Sequence, residues 1–192
     1  MPLSRLDPRC ALLVIDLQRG IVSLPAVQPA AAAVVAHAAV LARAFRRQHR
    51  LVVLVNVDGA PPGRTGLPPR TPPPPGWSEL LPELEAQPDD LRITKRTWGA
   101  FTGTGLATRL RRRGVTQTVL AGIATSIGVE STAREAHALG FNVVLAVDAM
   151  TDLDADAHAG SVRRIFPRLG ETATCAEILM LLDASGAAEP RG

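Results

Sequence analysis

At 192 residues, 46% apolar and 20% charged, the chain is long enough for one domain with a substantial core, and with 3% aromatic residues that core is aliphatic. A formal charge of +3 does not suggest a nucleic-acid partner, and the basic run of Arg109 and Arg111 to Arg113 reads as the solvated face of a short helix. Cys10 and Cys175 lie far apart without CxxC spacing, which gives no disulfide framework or zinc site, and no apolar run reaches the ~18 residues of a membrane span, so a cytoplasmic protein is expected.

The predicted elements alternate. Ala11–Ile15 is a continuous apolar run of strand length that ends on Asp16, and an Ala-rich helix follows over Pro29–Gln48. Leu51–Val57 is the second strand. The Pro-rich stretch Pro61–Gly76, within a loop over 59–76, forms neither helix nor central strand. Leaving the second strand, it emerges at the same sheet edge as Asp16, as a lid, an oligomer contact or a plain surface loop. A helix is predicted over Ser78–Ala86, then a weaker strand, Leu91–Lys95, ending on the only lysine. The helix Thr104–Arg113 is stopped by Gly114. Strand Thr118–Ala121 runs into the small-residue turn Gly122–Gly128 and the helix Gly128–Leu139, stopped by Gly140. There follow a strand over Asn142–Val147, a helix over Ala155–Arg168 capped by Asp154 or Asp156 and carrying His158, a short strand at Glu171–Thr174, and a helix over Ala176–Ala184. Residues 185–192 read as a loose tail.

Strands apolar on both faces require a parallel sheet covered on both sides. The expected fold is therefore a three-layer, Rossmann-like α/β domain spanning 1–192, with an open parallel sheet of about six strands. Ligands of such sheets bind beyond the carboxyl ends of the strands, near the point where strand order reverses. Asp16, Lys95 and the Gly122–Gly128 turn all end strands, so an acid, a base and a backbone turn are expected to face one crevice. In a still-extended chain Gln18 shares a face with Asp16, as a ligand contact or as a loop-stabilising amide. Thr125 and Ser126 line the turn or cap its helix. Phe101 is expected to pack, His158 to be structural, and both cysteines to be small buried apolar residues.

Val14-Ile-Asp-Leu-Gln18, Thr94-Lys-Arg-Thr-Trp-Gly-Ala-Phe101, Ala121-Gly-Ile-Ala-Thr-Ser-Ile-Gly-Val-Glu-Ser-Thr-Ala133 and Asp148-Ala-Met with His158 resemble, in order and spacing, motifs of the isochorismatase-like family, also called cysteine hydrolases. The resemblance runs from Ala11 to about Leu182 and implies the same fold. In cysteine-using members an Asp–Lys–Cys triad acts; here Asp16, Lys95 and Gly128 occupy those positions. Gly128 offers no side chain, so no thioester forms there. The resemblance also implies a cis peptide between Ile123 and Ala124, a pocket wall at Trp98, and a homo-oligomer for which the Pro29–Gln48 helix offers an apolar face. Metal-binding members carry a His shortly after the residue matching Asp58; this chain continues Gly59-Ala-Pro-Pro, so neither metal nor other cofactor is expected.

Glycine at the cysteine position resembles the true isochorismatases, whose vinyl-ether hydrolysis needs no nucleophilic side chain. The function implied is hydrolysis of a small, anionic metabolite. Asp16 would act as acid, Lys95 would balance charge, and the N–H groups of Ala124 and Gly128 would stabilise an anion. Arg64 and Arg70 are candidate carboxylate partners. Two alternatives stand beside it: amide hydrolysis by water that Asp16 activates, and a catalytically silent metabolite-binding protein.

Overall fold

The computed structural model describes residues 2–25, 30–66 and 72–187. The apolar runs become β1 (Cys10–Ile15), β2 (Leu51–Val57), β3 (Leu91–Lys95), β4 (Gln117–Ile123), β5 (Asn142–Thr151) and β6 (Glu171–Ala173). They form one parallel sheet of 6 strands in the order β3-β2-β1-β4-β5-β6. Strand order reverses between β1 and β4, which is where a doubly wound sheet opens a crevice.

Alternate residues of each strand feed opposite cores. Leu12, Val14, Val52, Leu54 and Val119 pack with α2 (Ala31–Arg47) and α7 (Cys175–Ala187) on one face. Ala11, Leu13, Ile15, Val53 and Leu120 pack on the other with α3 (Leu106–Arg112), α4 (Glu130–Ala138) and α6 (Phe166–Leu169). Phe101 joins this second core and stacks on Phe141, as packing predicts. The short helices α1 (Arg19–Val22) and α5 (Ala155–Gly160) follow β1 and β5. Among the described residues no helix is long and apolar enough to cross a membrane.

Four expectations need correction. Ser78–Ala86 is not a helix: Pro82 offers no N–H, only the single 3₁₀ turn Pro82–Leu84 forms, and Leu80 instead bridges Gln18. β5 runs on past Val147 to Thr151, because its register against β4 jumps from Leu120↔Leu145 to Gly122↔Met150 across a bulge. The helix over Ala155–Arg168 is divided by a π-turn at Ser161–Ile165 just before Pro167, and another π-turn, Thr125–Val129, precedes α4. α7 continues through Ala187 where a tail was expected from Ser185, and 188–192 lie outside the described residues. So do Pro29, at the predicted start of the second-layer helix, and Arg70. Elsewhere the Pro-rich loop has no regular structure, and Asp154 supplies the α5 cap, accepting from the Ala157 N–H at 2.8 Å.

Candidate active site

Asp16 lies one residue beyond β1 with φ 53°, a left-handed conformation uncommon outside glycine. Its N–H still donates to the Val55 carbonyl at 2.9 Å, so the strand ladder fixes the backbone while the turn re-aims the carboxyl. Gly122 allows β4 to come this close: it has φ 129°, and a Cβ there would lie 2.0 Å from the Ile15 carbonyl oxygen. The next peptide bond, Ile123–Ala124, is cis. Lys95 ends β3, beyond β2, and its side chain spans that gap.

There Nζ of Lys95 meets Oδ2 of Asp16 at 2.8 Å, with side chains 2% and 7% exposed. Nζ also donates to the Thr97 carbonyl at 3.1 Å. Oδ1 of Asp16 is buried with no hydrogen-bond partner among the described residues. Burial raises the Asp16 pKa to about 6; the Lys95 charge and hydrogen bond pull the other way and only partly offset it. A carboxyl so placed can hold a proton or take one near neutral pH. A Cβ on Gly128 would come within 3.1 Å of both Asp16 Oδ2 and Ile15 Cγ2, so the bare backbone at 128 sits directly against the ion pair.

These groups face a cavity of about 800 Å³ lined by Asp16, Lys95, Ala124, Gly128 and Trp98, all singled out in the sequence. Gln18, Thr125 and Ser126 do not line it. The left-handed turn at Asp16 breaks the alternation that put Gln18 on its face. The Gln18 amide is fully buried, donating to the Val57 and Trp77 carbonyls at 2.9 and 3.2 Å and accepting from the Val57 N–H at 2.7 Å. It is the loop-stabilising amide. The Thr125 hydroxyl is buried 2.8 Å from Nδ1 of His158, whose pKa burial lowers. The Ser126 N–H donates to Asp152 at 2.6 Å, which pins the turn.

Sequence reasoning missed most of the wall. Trp77 lies behind the Pro-rich loop, and Ile21, Leu24, Ile127 and Leu153 are not among the candidate residues named from the sequence. Their common signal is position, since each follows the carboxyl end of a strand. Glu135 of α4 was also overlooked. It accepts from the Phe101 N–H at 2.8 Å and from the Thr102 hydroxyl, and so fastens the turn that carries Trp98. A Cβ on Gly99 would lie 2.1 Å from Oε2 of Glu135, so this approach depends on a glycine.

Asp58, the position at which the family resemblance puts a metal ligand, is gripped by Arg96 at 2.9 and 3.2 Å, which lowers its pKa. With Gly59 and Ala60 following, these residues do not make a cation site. His37, Asp148 and Cys175 do bring ligand atoms within 4.8 Å of one another away from the cavity lining. They are mutually engaged: Nδ1 of His37 is 2.7 Å from the Asp148 carbonyl, and Oδ1 of Asp148 accepts from the Cys175 N–H at 2.8 Å. Both cysteines are buried, and burial raises their thiol pKa values.

A family model described as the isochorismatase domain matches residues 10–177. The chain belongs to the isochorismatase family, a family of hydrolases. It is 42% identical over 183 residues to the isochorismatase family protein YwoC of Bacillus subtilis, covering 89% of this chain and 93% of YwoC. An isochorismatase family protein from Burkholderia thailandensis has a structure similar to it at TM-score 0.90 with 46% identity, over 93% of this chain and 98% of that one. The streptothricin hydrolase of Streptomyces noursei is 37% identical over 147 residues, 77% of this chain and 51% of that enzyme.

Proposed function

We propose that the cavity is the active site of a single-domain hydrolase that works without a covalent intermediate, with Asp16 moving the proton and water as the nucleophile. The observation that carries this is the Asp16 carboxyl itself, bound to Lys95 through Oδ2 while Oδ1 stays buried, unpartnered and part of a residue lining the cavity. Protonated, Asp16 gives its proton to the terminal carbon of an enol ether and leaves an oxocarbenium ion. Water adds to that cation and returns a proton to the carboxylate. The hemiketal then collapses to a carbonyl compound and an alcohol. Lys95 holds the carboxylate between the two transfers. The N–H groups of Ala124, just before the turn Thr125–Val129, and of Gly128, within it, would face developing negative charge on oxygen.

A relative named as a ureidoacrylate amidohydrolase, from Variovorax paradoxus and 39% identical over 83 residues, favours a second reaction class, amide hydrolysis at a carbonyl, within the same geometry. Ionised Asp16 would then take a proton from water as it attacks the carbonyl carbon, and pass that proton to the leaving group. The two routes have opposite pH profiles. Enol-ether cleavage needs the acid and falls as pH rises through about 6, whereas carbonyl hydrolysis needs the carboxylate and rises through it.

The test is a screen of enol ethers and amides with the wild type and Asp16→Asn. Turnover is expected to drop by at least ~10²-fold in the variant, and turnover that persists there removes Asp16 from the chemistry. The protein is read as a cytoplasmic homo-oligomer. Its buried, unpaired cysteines and the exposed Val40 on α2 support this, and light scattering on the purified protein gives the assembly mass.

A further inference from the structure

Away from the cavity, three elements bring a nitrogen, an oxygen and a sulfur ligand to one place. His37 lies on α2, Asp148 on the part of β5 that runs past the predicted strand end, and Cys175 opens α7 just after β6. Their ligand atoms lie within 4.8 Å of one another, and none of the three residues lines the cavity at Asp16. No spacing motif announces the cluster, because its members lie 111 and 27 positions apart along the chain. Each is held by a packed element: Cys175 and the α2 residues Val34, Ala38 and Leu41 are buried in the same core. The ligand positions are therefore set by the fold. The Cys175 N–H donates to Oδ1 of Asp148 at 2.8 Å, which leaves Oδ2 as the oxygen turned to the imidazole, 3.9 Å from Nδ1 of His37. The Cys175 thiol hydrogen-bonds to the same carboxyl.

The spacing suits a small tetrahedral ion. Zinc bonds of about 2.0–2.2 Å to nitrogen and oxygen bridge at most about 4.3 Å, so the observed 3.9 Å between Nδ1 and Oδ2 already admits an ion. With a bond of about 2.3 Å to sulfur, a closure of at most about 1 Å brings all three atoms to tetrahedral spacing. His37 can supply that movement. Its side chain is 43% exposed, and turning the ring exchanges its hydrogen bond to the Asp148 carbonyl, now 2.7 Å, for the ion. The Cys175 N–H keeps hold of Oδ1 meanwhile, the kind of outer hydrogen bond that orients a ligating carboxylate. The Asp148 side chain is half-buried, so solvent reaches the cluster and water completes the coordination. A thiolate beside an imidazole selects zinc or another late first-row ion over magnesium and calcium, which take oxygen ligands. The other cysteine is built the opposite way: Sγ of Cys10 accepts from the Arg50 guanidinium at 3.0 Å, a neighbour that repels a cation.

We propose that His37, Asp148 and Cys175 bind one divalent ion of the zinc class, with water as the fourth ligand. On binding, the thiol proton passes to solvent and the imidazole coordinates in its neutral form, so thiolate and carboxylate together balance the charge of the ion. The site is structural. It ties α2, the far end of β5 and the start of α7 together on one face of the sheet, apart from the hydrolytic cavity and from Asp58, which Arg96 holds. It goes beyond the hydrolase reading and does not depend on it.

The probe is cobalt(II), added to the full chain after dialysis against a chelator. The wild type is expected to saturate at one ion per chain, with a thiolate-to-cobalt charge-transfer band in the near ultraviolet and the visible d–d bands of a tetrahedral ion. Zinc is expected to displace both. Cys10→Ser keeps the spectrum, and Cys175→Ser removes the charge-transfer band. His37→Ala, at a half-exposed helix position, is expected to raise the cobalt Kd at least about tenfold. Excess zinc raises the thermal unfolding midpoint of the wild type and leaves that of His37→Ala where it is. A wild type without the charge-transfer band, a band that survives in Cys175→Ser or is lost in a folded Cys10→Ser, or an unchanged affinity in His37→Ala would overturn the proposal. Cys175 is buried, so if Cys175→Ser does not fold, His37→Ala decides alone. Turnover enters none of these measurements, so their failure leaves the role of Asp16 untouched.

Discussion

Replacing Lys95 by Met tests whether the ammonium is what keeps Asp16 ionised at neutral pH. The two chains are of similar volume, so packing around position 95 is largely retained while the charge is removed. At 2.8 Å and an effective dielectric of about 20, the pair is worth about 6 kcal/mol of Coulomb energy, equivalent to about four pKa units. Relaxation and water entry leave at least about two, which moves the Asp16 pKa from about 6 to about 8 or above. In both proteins the folded-state pKa exceeds the unfolded value of 3.8, so Asp16 costs nothing below that value and destabilises the fold as pH climbs to its folded pKa. In the wild type this loss is complete at about pH 6. In Lys95→Met it continues at about 1.4 kcal/mol per pH unit, roughly 2.7 kcal/mol between pH 6 and 8. Urea denaturation of both proteins at about pH 6, 7 and 8 gives the difference directly. Asp58, held low by Arg96, and Glu177, held low by Thr174, are common to both and cancel. A stability gap that stays flat or narrows over that range would refute the role given to Lys95.

Gly122→Ala would place a methyl group 2.0 Å from the Ile15 carbonyl oxygen at a φ of 129°, and neither backbone can withdraw without opening the β1–β4 ladder. A loss of more than about 4 kcal/mol is expected, read as absence of a cooperative thermal transition in circular dichroism. Gly128→Ala meets the side-chain atoms Asp16 Oδ2 and Ile15 Cγ2, both at 3.1 Å, which can shift by a few tenths of an ångström, and the Ile123 carbonyl oxygen at 3.5 Å, an ordinary contact distance. It is expected to cost about 1 kcal/mol in a urea melt yet lower kcat about tenfold on any compound turned over, because the atom it displaces belongs to the proton carrier.

The sheet was legible because its strands are continuous aliphatic runs, and Leu51–Val57 and Leu91–Lys95 form with the expected ends. Asp16 and Lys95 stood out for the same reason: each is a polar residue closing such a run. What escaped is what long-range contacts decide. β5 extends beyond Val147 because a bulge carries Asp148 past the point where the apolar run stops. Gln18 left its expected face because one residue before Leu17, at Asp16, the chain turns left-handed, and periodicity cannot anticipate that. Glu135 lies in no motif that marks it, and only the fold shows the turn at Phe101 and Thr102 folded down onto it. Trp77 carries no periodic signal at all, since it follows proline-rich chain.

A silent, ligand-binding member of the family is the remaining alternative, and the energetics of the pair argue against it. Holding the Asp16 carboxyl ionised in the folded protein costs about 3 kcal/mol, from the rise in its pKa from 3.8 to about 6. Lys95 is buried as deeply, and apolar residues of similar volume in place of a buried pair are often neutral or stabilising. A pocket that merely holds an apolar molecule would gain affinity and stability from such a replacement, since the rest of its wall is already aliphatic and aromatic. Only a ligand with a group that must exchange a proton, or be polarised, makes use of an ion pair at the closed end of that wall. Asp16→Leu combined with Lys95→Met separates the cases: binding of a neutral aromatic amide that is retained while all turnover disappears ties the pair to chemistry, and a wild type equally inert on every compound favours the silent protein.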